Sequence, residues 1–266
     1  MSPPDRQITI PQFTAMKSAG RKITMLTAYD YTMASLIDSI EIEGILVGDS
    51  LGMVVQGRPN TLPVSVDEMI YHAEMVGRAV RHALVVVDMP FLSYHVGVHK
   101  AIENAGRVLK ETQCQAVKLE GGADQAEVIA ALVSAGIPVM AHCGLRPQSV
   151  RQLGGYRVQR DREQLLADAK AAQDAGAFSI VLECISADLA TEITAAVGIP
   201  TIGIGAGKGC DGQVLVLQDL LGLGAGRPPR HVKVYANLGR LVGEAVTCYR
   251  DEVRDGTFPG PEQSFD

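Results

Sequence analysis

Eight short apolar runs, each closing on a polar residue or a glycine, constrain this chain more than any other feature: ITMLTAYD (23–30), GILVGDS (44–50), ALVVVDMP (83–90), AVKLEGG (116–122), PVMAHCG (138–144), SIVLECI (179–185), PTIGIGAG (200–207) and, less sharply, QVLVLQD (213–219). Runs of this length, often rich in Val and Ile, are the pattern of strands buried on both faces. Several of the intervals are helical. Residues 66–80 place Met69, Ile70, Ala73, Val76 and Val80 on one side, and 101–111 and 162–176 also read as helices, the latter closing at a glycine cap. Strand and helix alternating over this length means parallel βαβ units. Eight strands predict a (β/α)8 barrel occupying residues 1–266 as a single domain, since no Pro/Ser-rich linker divides the chain. TIPQFTAMKSAG (9–20) reads as a short helix that covers the barrel floor, 231–256 as a C-terminal helix and 257–265 as an irregular end. The rival fold, an open doubly wound sheet, concentrates function at one or two strand ends; here functional-looking residues close five or six strands.

Charge excludes several classes. The net charge is −6 with acids and bases interleaved, and no run of Lys or Arg suggests nucleic acid or a membrane surface. The start, MSPPDRQITIPQF, has no cationic segment followed by an apolar run, and nothing approaches the roughly 18 apolar residues of a membrane span. Cys114, Cys143, Cys184, Cys210 and Cys248 are far apart and form no CxxC pair, which favours reduced thiols in a cytoplasmic protein.

Strand ends carry the chemistry. Asp49 follows GILVG, Asp88 follows LVVV, and Glu120 and Glu183 close two further runs. A carboxylate beside such a run is costly to bury without a partner. Any one of these acids could cap a helix or pair with an arginine, but caps need not fall at this repeated position. Four carboxylates converging on one barrel mouth repel one another and call for a cation, and an all-oxygen donor set favours Mg²⁺ over Zn²⁺. In an extended strand Lys118 and Glu120 share a face. Lys118 could hold a substrate carboxylate, form a Schiff base or simply pair with Glu120; the acid beside it stabilises its charge and favours binding. His142 closes PVMAH, where a substrate role and a structural hydrogen bond are both open. His95 and His99 have i,i+4 spacing, but Gly97 and the loop context weaken a metal reading. Cys143 and Cys184 fall on the opposite strand faces to His142 and Glu183 and read as packing thiols. GIGAGKGCDGQ (203–213) matches GxGxxG at Gly207, Gly209 and Gly212, but VLVL follows instead of a helix, and Lys208 precedes Gly209 instead of Ser or Thr. What remains is a tight loop where backbone approaches a ligand or neighbour.

At these residues the chain resembles the ketopantoate hydroxymethyltransferase family. The match includes MLTAYDY, VGDSLGMVVQG, TLPVSVDEMIYH, VVVDMPF, AVKLEGG, GLRPQSV, GGYRVQ, VLEC, IGIGAG, CDGQVLV and GTFPGP, nearly end to end. The resemblance implies a (β/α)8 TIM barrel of the phosphoenolpyruvate mutase/isocitrate lyase type, Mg²⁺, 5,10-methylenetetrahydrofolate as one-carbon co-substrate, and 3-methyl-2-oxobutanoate as the 2-oxo acid acceptor. The product is 2-dehydropantoate, at the first step of pantothenate biosynthesis. By motif, Asp49, Asp88 and Glu120 correspond to the metal site, Asp49, Ser50 and Lys118 to keto-acid binding, and Glu183 to the proton acceptor; Asp88 and His142 join the expected substrate-binding set. HVGVHK after FLSY departs from the family's usual helix start and bears on the local loop shape. Family members assemble as large homo-oligomers, often decamers. Two other classes stay open: another Mg²⁺-dependent carbon–carbon lyase or mutase acting on a 2-oxo acid, and a non-catalytic barrel that only binds.

Overall fold

The computed structural model of the protein describes residues 7–155, 157–224, 226 and 228–265; the MSPPDR start and Tyr156 of GGYRVQ lie outside the described residues. The chain divides into two compact units, Met1–Val216 and Leu217–Asp266. The first unit is a closed barrel of parallel strands: β1 Ile23–Thr27, β2 Gly44–Val47, β3 Leu84–Asp88, β4 Ala116–Lys118, β5 Val139–Gly144, β6 Ser179–Glu183, β7 Thr201–Ile204 and β8 Gly212–Leu215. Each strand pairs with its sequence neighbour, and β1 closes on β8 through Ile23↔Gly212 to Leu26↔Leu215.

Strand alternation sorts the inward side chains into layers. Met25, Leu46, Val86, Ala116, Met140, Val181, Ile202 and Val214 pack together as one buried cluster. Below them, Phe13 and Met16 of the helix Ile10–Ser18 join the same cluster, so the N-terminal helix seals the floor. Phe13 meets Phe178 edge to face with centroids 5.8 Å apart. Thr9 and Gln12 cap that helix reciprocally, and Lys17 reaches Asp211 at 2.8 Å to tie it to the start of β8. Two residues further toward the strand ends the same parity brings in Asp88, Lys118, His142 and Glu183. The apolar layer is therefore the platform for a polar one.

The connections differ from the sequence expectations in two places. The helix expected over 101–111 begins earlier, at Val98, because Gly97 turns the chain at φ +108. His95 precedes that turn, so His95 and His99 share no helical face and the two-histidine metal motif is lost. As VLVL after the glycine loop indicates, no helix joins β7 to β8; the loop packs directly on the helix Ala187–Ala196, where a Cβ at Gly209 would lie 2.1 Å from Thr191 Oγ1. In the second unit the expected helix over 231–256 is shorter, Leu238–Asp255, because the Asn237 side chain accepts from the Arg240 N–H and starts it there. That helix carries an exposed stripe of Leu241, Val242, Val246, Tyr249 and Val253.

The floor seal is testable. Phe13→Ala should lower unfolding free energy by about 3–5 kcal/mol, the range for emptying a fully buried aromatic site, as read by denaturant titration.

Candidate active site

The site is set by strand register. Asp88 and Lys118 are direct partners across β3 and β4. Neighbouring strands lie about 4.8 Å apart, whereas residues i and i+2 of one strand are separated by roughly 6.6 Å. Lys118 accordingly pairs with Asp88, Nζ to Oδ1 at 2.6 Å, and not with Glu120 as strand alternation suggested. Glu120 lies beyond the last strand residue of β4. The Asp49 N–H donates to Asp88 Oδ2 at 3.1 Å, so Asp88 is held on both oxygens.

Glu183 and His142 meet at the ends of β5 and β6. Nε2 of His142 lies 3.2 Å from Glu183 Oε2, and its Nδ1 is 4.0 Å from Glu120 Oε1. Gly144 makes this approach possible: its φ is +98, and a Cβ there would come within 2.2 Å of the Glu183 carbonyl oxygen. The His142 ring is 2% exposed, and among the described residues neither ring nitrogen has a hydrogen bond of good geometry. A buried imidazole in that state is placed to serve a ligand.

Three residues that strand-end logic did not single out complete the cluster. Tyr29, just after β1, shares a 2.8 Å hydrogen bond with Ser50 Oγ. Tyr94, fully buried, donates from its hydroxyl to Gln148 Oε1 at 2.8 Å. Gln148 donates from Nε2 to Asp49 Oδ2 and to the Met89 carbonyl, both at 2.9 Å, and from its backbone N–H to Glu120 Oε2 at 3.0 Å. Both Tyr94 and Gln148 lie in loops, where no periodicity marks them, although Gln148 falls within GLRPQSV. Beside the cluster is a small recess of about 90 Å³, lined by His142, Cys143, Gly144, Arg146 and Asp168 among others.

Charge is unbalanced here. Asp49, Asp88, Lys118 and Glu120 are each no more than 5% exposed, and Lys118 is the one cation among them. Burial, reinforced by the neighbouring Asp88 charge, pushes the Asp49 carboxyl up to about 7. Burial and the Asp49 charge push Glu120 well above the carboxylate range. Lys118 is raised: although burial opposes its charge, Asp88, Glu120 and Asp49 together outweigh that cost. Burial and the Lys118 ammonium hold His142 below the usual imidazole value. Burial raises the Cys143 thiol, which fits a packing role. Among the described residues no three His, Cys, Asp or Glu side chains converge into a preformed metal cage. The donor set still fits Mg²⁺, which binds through one or two carboxylates and keeps water or substrate oxygens for the rest. A divalent cation would also offset the charge of two carboxylates raised by burial and by their acidic neighbours.

A closed eight-strand barrel with acids and a lysine at its strand ends defines an enzyme of the (β/α)8 class. Solved structures agree on the fold: a phosphonopyruvate hydrolase complex with oxalate and Mg²⁺ superposes with a TM-score of 0.63 at 13% identity, covering 96% of this chain and 93% of that one. A 2,3-dimethylmalate lyase, a member of the phosphoenolpyruvate mutase/isocitrate lyase superfamily, gives 0.63 at 20% identity over 95% and 86%. A sequence profile of the ketopantoate hydroxymethyltransferase family matches residues 7–261, and the chain belongs to that family. It is 54% identical over 260 residues to the 3-methyl-2-oxobutanoate hydroxymethyltransferase of Rhodopirellula baltica, covering 98% of this chain and 97% of that protein. The protein of the same name from Moorella thermoacetica is 56% identical over 263 residues, covering 97% and 98%.

The raised Asp49 value has a consequence for stability. Between the unfolded carboxyl value of about 3.9 and the folded value of about 7, the native state keeps a proton that the unfolded chain releases. In EDTA, stability should therefore fall as pH rises from 4 to 7, by up to about 1.4 kcal/mol per pH unit from this group, and flatten above. Asp49→Asn should remove that slope in denaturant titrations at pH 5, 6, 7 and 8.

Proposed function

We propose that this chain transfers the one-carbon unit of 5,10-methylenetetrahydrofolate to 3-methyl-2-oxobutanoate, giving 2-dehydropantoate. The observation that carries the reading is one buried lysine paired with an acid at the mouth of the barrel, beside acids left without a cation. A 2-oxo acid brings a carboxylate and an adjacent carbonyl, which suits such a set.

The chain's own groups divide the work. Lys118, kept charged by Asp88, neutralises the substrate carboxylate. Ser50, oriented by Tyr29, donates a hydrogen bond to the same group. Asp49 and Asp88 would hold Mg²⁺, with Glu120 completing the site, and the ion would supply Lewis-acid withdrawal of charge from the 2-oxo group when bound. Glu183 takes the C3 proton, at a carbon made acidic by the neighbouring carbonyl. His142, with Nε2 3.2 Å from Glu183 Oε2, lies beside that carboxylate and offers its ring nitrogens to the substrate. The C3 carbanion then attacks the methylene carbon of the folate's ring-opened iminium form, and water displaces the remaining nitrogen from that carbon, giving the hydroxymethyl product and tetrahydrofolate.

A cytoplasmic homo-oligomer, decameric in line with the resemblance, completes the proposal. Five free thiols support the reducing compartment, and the exposed apolar stripe on Leu238–Asp255 supports self-association. Among the described residues no helix is long and apolar enough to cross a membrane.

Turnover with 5,10-methylenetetrahydrofolate and 3-methyl-2-oxobutanoate tests the activity directly, and its absence from pure, folded protein rejects the reading. Glu183→Gln should bind the keto acid with little change in calorimetry and lose about 10²–10⁴-fold in kcat. A variant turning over at near-normal rate removes Glu183 from the proton-accepting role.

A further inference from the structure

Gln148 is tied to more elements of the mouth than any acid in it. It is 6% exposed and sits in the loop after β5. Its side-chain amide reaches Asp49 after β2 and the Met89 carbonyl after β3, and Tyr94 from the following loop reaches it; its backbone N–H reaches Glu120 after β4. The sense of this network is fixed by valence. The Met89 carbonyl can only accept, so the Gln148 NH₂ must face it and Asp49, and the amide oxygen must face Tyr94. The Tyr94 hydroxyl donates to that oxygen at 2.8 Å, its shorter contact, with the Glu120 carbonyl at 3.2 Å, and its lone pair takes the Glu120 N–H at 3.2 Å. Every polar atom of the buried amide is thereby used, and the flipped amide is excluded.

The consequence falls on two carboxylates at once. Gln148 engages one oxygen of Asp49, Oδ2, through its side chain and one oxygen of Glu120, Oε2, through its main chain. Each acid keeps its second oxygen out of this network. Asp49 and Glu120 belong to loops after different strands, and the loop carrying Gln148 is the shared strut between them.

We propose that Gln148, oriented by Tyr94, is a positioning residue that sets the carboxylate of Asp49 relative to Glu120 so that the pair accepts a divalent cation and, with it, the 2-oxo acid. The inference rests on the function proposed above. It adds a residue for which strand-end logic has no place, because Gln148 carries no charge and never needs to touch the substrate.

Two variants separate positioning from bulk stability. Gln148→Met keeps shape and the backbone N–H to Glu120, and removes the side-chain amide with its bonds to Asp49, the Met89 carbonyl and the Tyr94 hydroxyl. Tyr94→Phe keeps the ring and removes the hydroxyl that fixes the sense of the amide. Full-length proteins are titrated with Mg²⁺ by calorimetry without substrate, and keto-acid and folate KM are measured beside kcat. Gln148→Met should bind Mg²⁺ about 10–100-fold more weakly, raise the keto-acid KM and leave the folate KM in place. Tyr94→Phe should shift the same two quantities in the same direction by a smaller factor. Should Gln148→Met fail to fold, Tyr94→Phe decides. Folded variants with lowered Tm but unaltered Mg²⁺ affinity and keto-acid KM overturn the inference and leave the function standing. A wild-type protein that binds no Mg²⁺ overturns both.

Discussion

The ion pair between Lys118 and Asp88 is the interaction on which the mouth of this barrel depends. Burying a carboxylate alone is expensive, and burying an ammonium alone equally so. Register removes both costs by making the two residues direct partners across β3 and β4. The pair leaves its neighbours short of positive charge, so Asp49 and Glu120 share a low-dielectric space with Asp88 and hold protons more tightly than free carboxylates do. That excess of buried negative charge supports the proposed metal-assisted 2-oxo acid chemistry over a purely structural role.

The barrel supplies the precision. A layer of Val86, Ala116, Met140 and Val181 fills the interior, and one step along the same strand faces replaces those apolar side chains by Asp88, Lys118, His142 and Glu183. The packed layer fixes where each polar group starts, while the loops fix where it ends. Gly144 lets β5 close on the Glu183 backbone, and the amide of Gln148 links four strand ends. Rigid strands and satisfied loops together hold groups from distant parts of the sequence within hydrogen-bond reach.

Much of this was legible in the residues. Period-two alternation and the apolar-then-acid repeat lead to the barrel, to the floor helix with Phe13, and to Asp49, Asp88, Lys118, Glu120, His142 and Glu183 near one another. Cross-strand neighbours were not legible. Spacing along one strand put Lys118 beside Glu120, but inter-strand distance is shorter than the i,i+2 distance, and Asp88 won. Tyr94 and Gln148 stayed hidden for a different reason: they sit in irregular loops, where function comes from hydrogen-bond geometry and no periodic signal survives. The helix start at Val98 turned on a single positive φ at Gly97, which sequence pattern registers only as a break. Family resemblance suggests roles for the acids, and the structure adds the uncharged residues that hydrogen-bond to them.

The central claim is that a divalent cation completes this carboxylate cluster and loosens the C3 proton of a 2-oxo acid. The most direct measurement is exchange of that proton in D₂O, followed by NMR on 3-methyl-2-oxobutanoate with the pure enzyme and no folate. The account predicts exchange with Mg²⁺ that stops in EDTA and returns when Mg²⁺ is restored. Exchange equally fast in EDTA, or none with Mg²⁺ present, contradicts it.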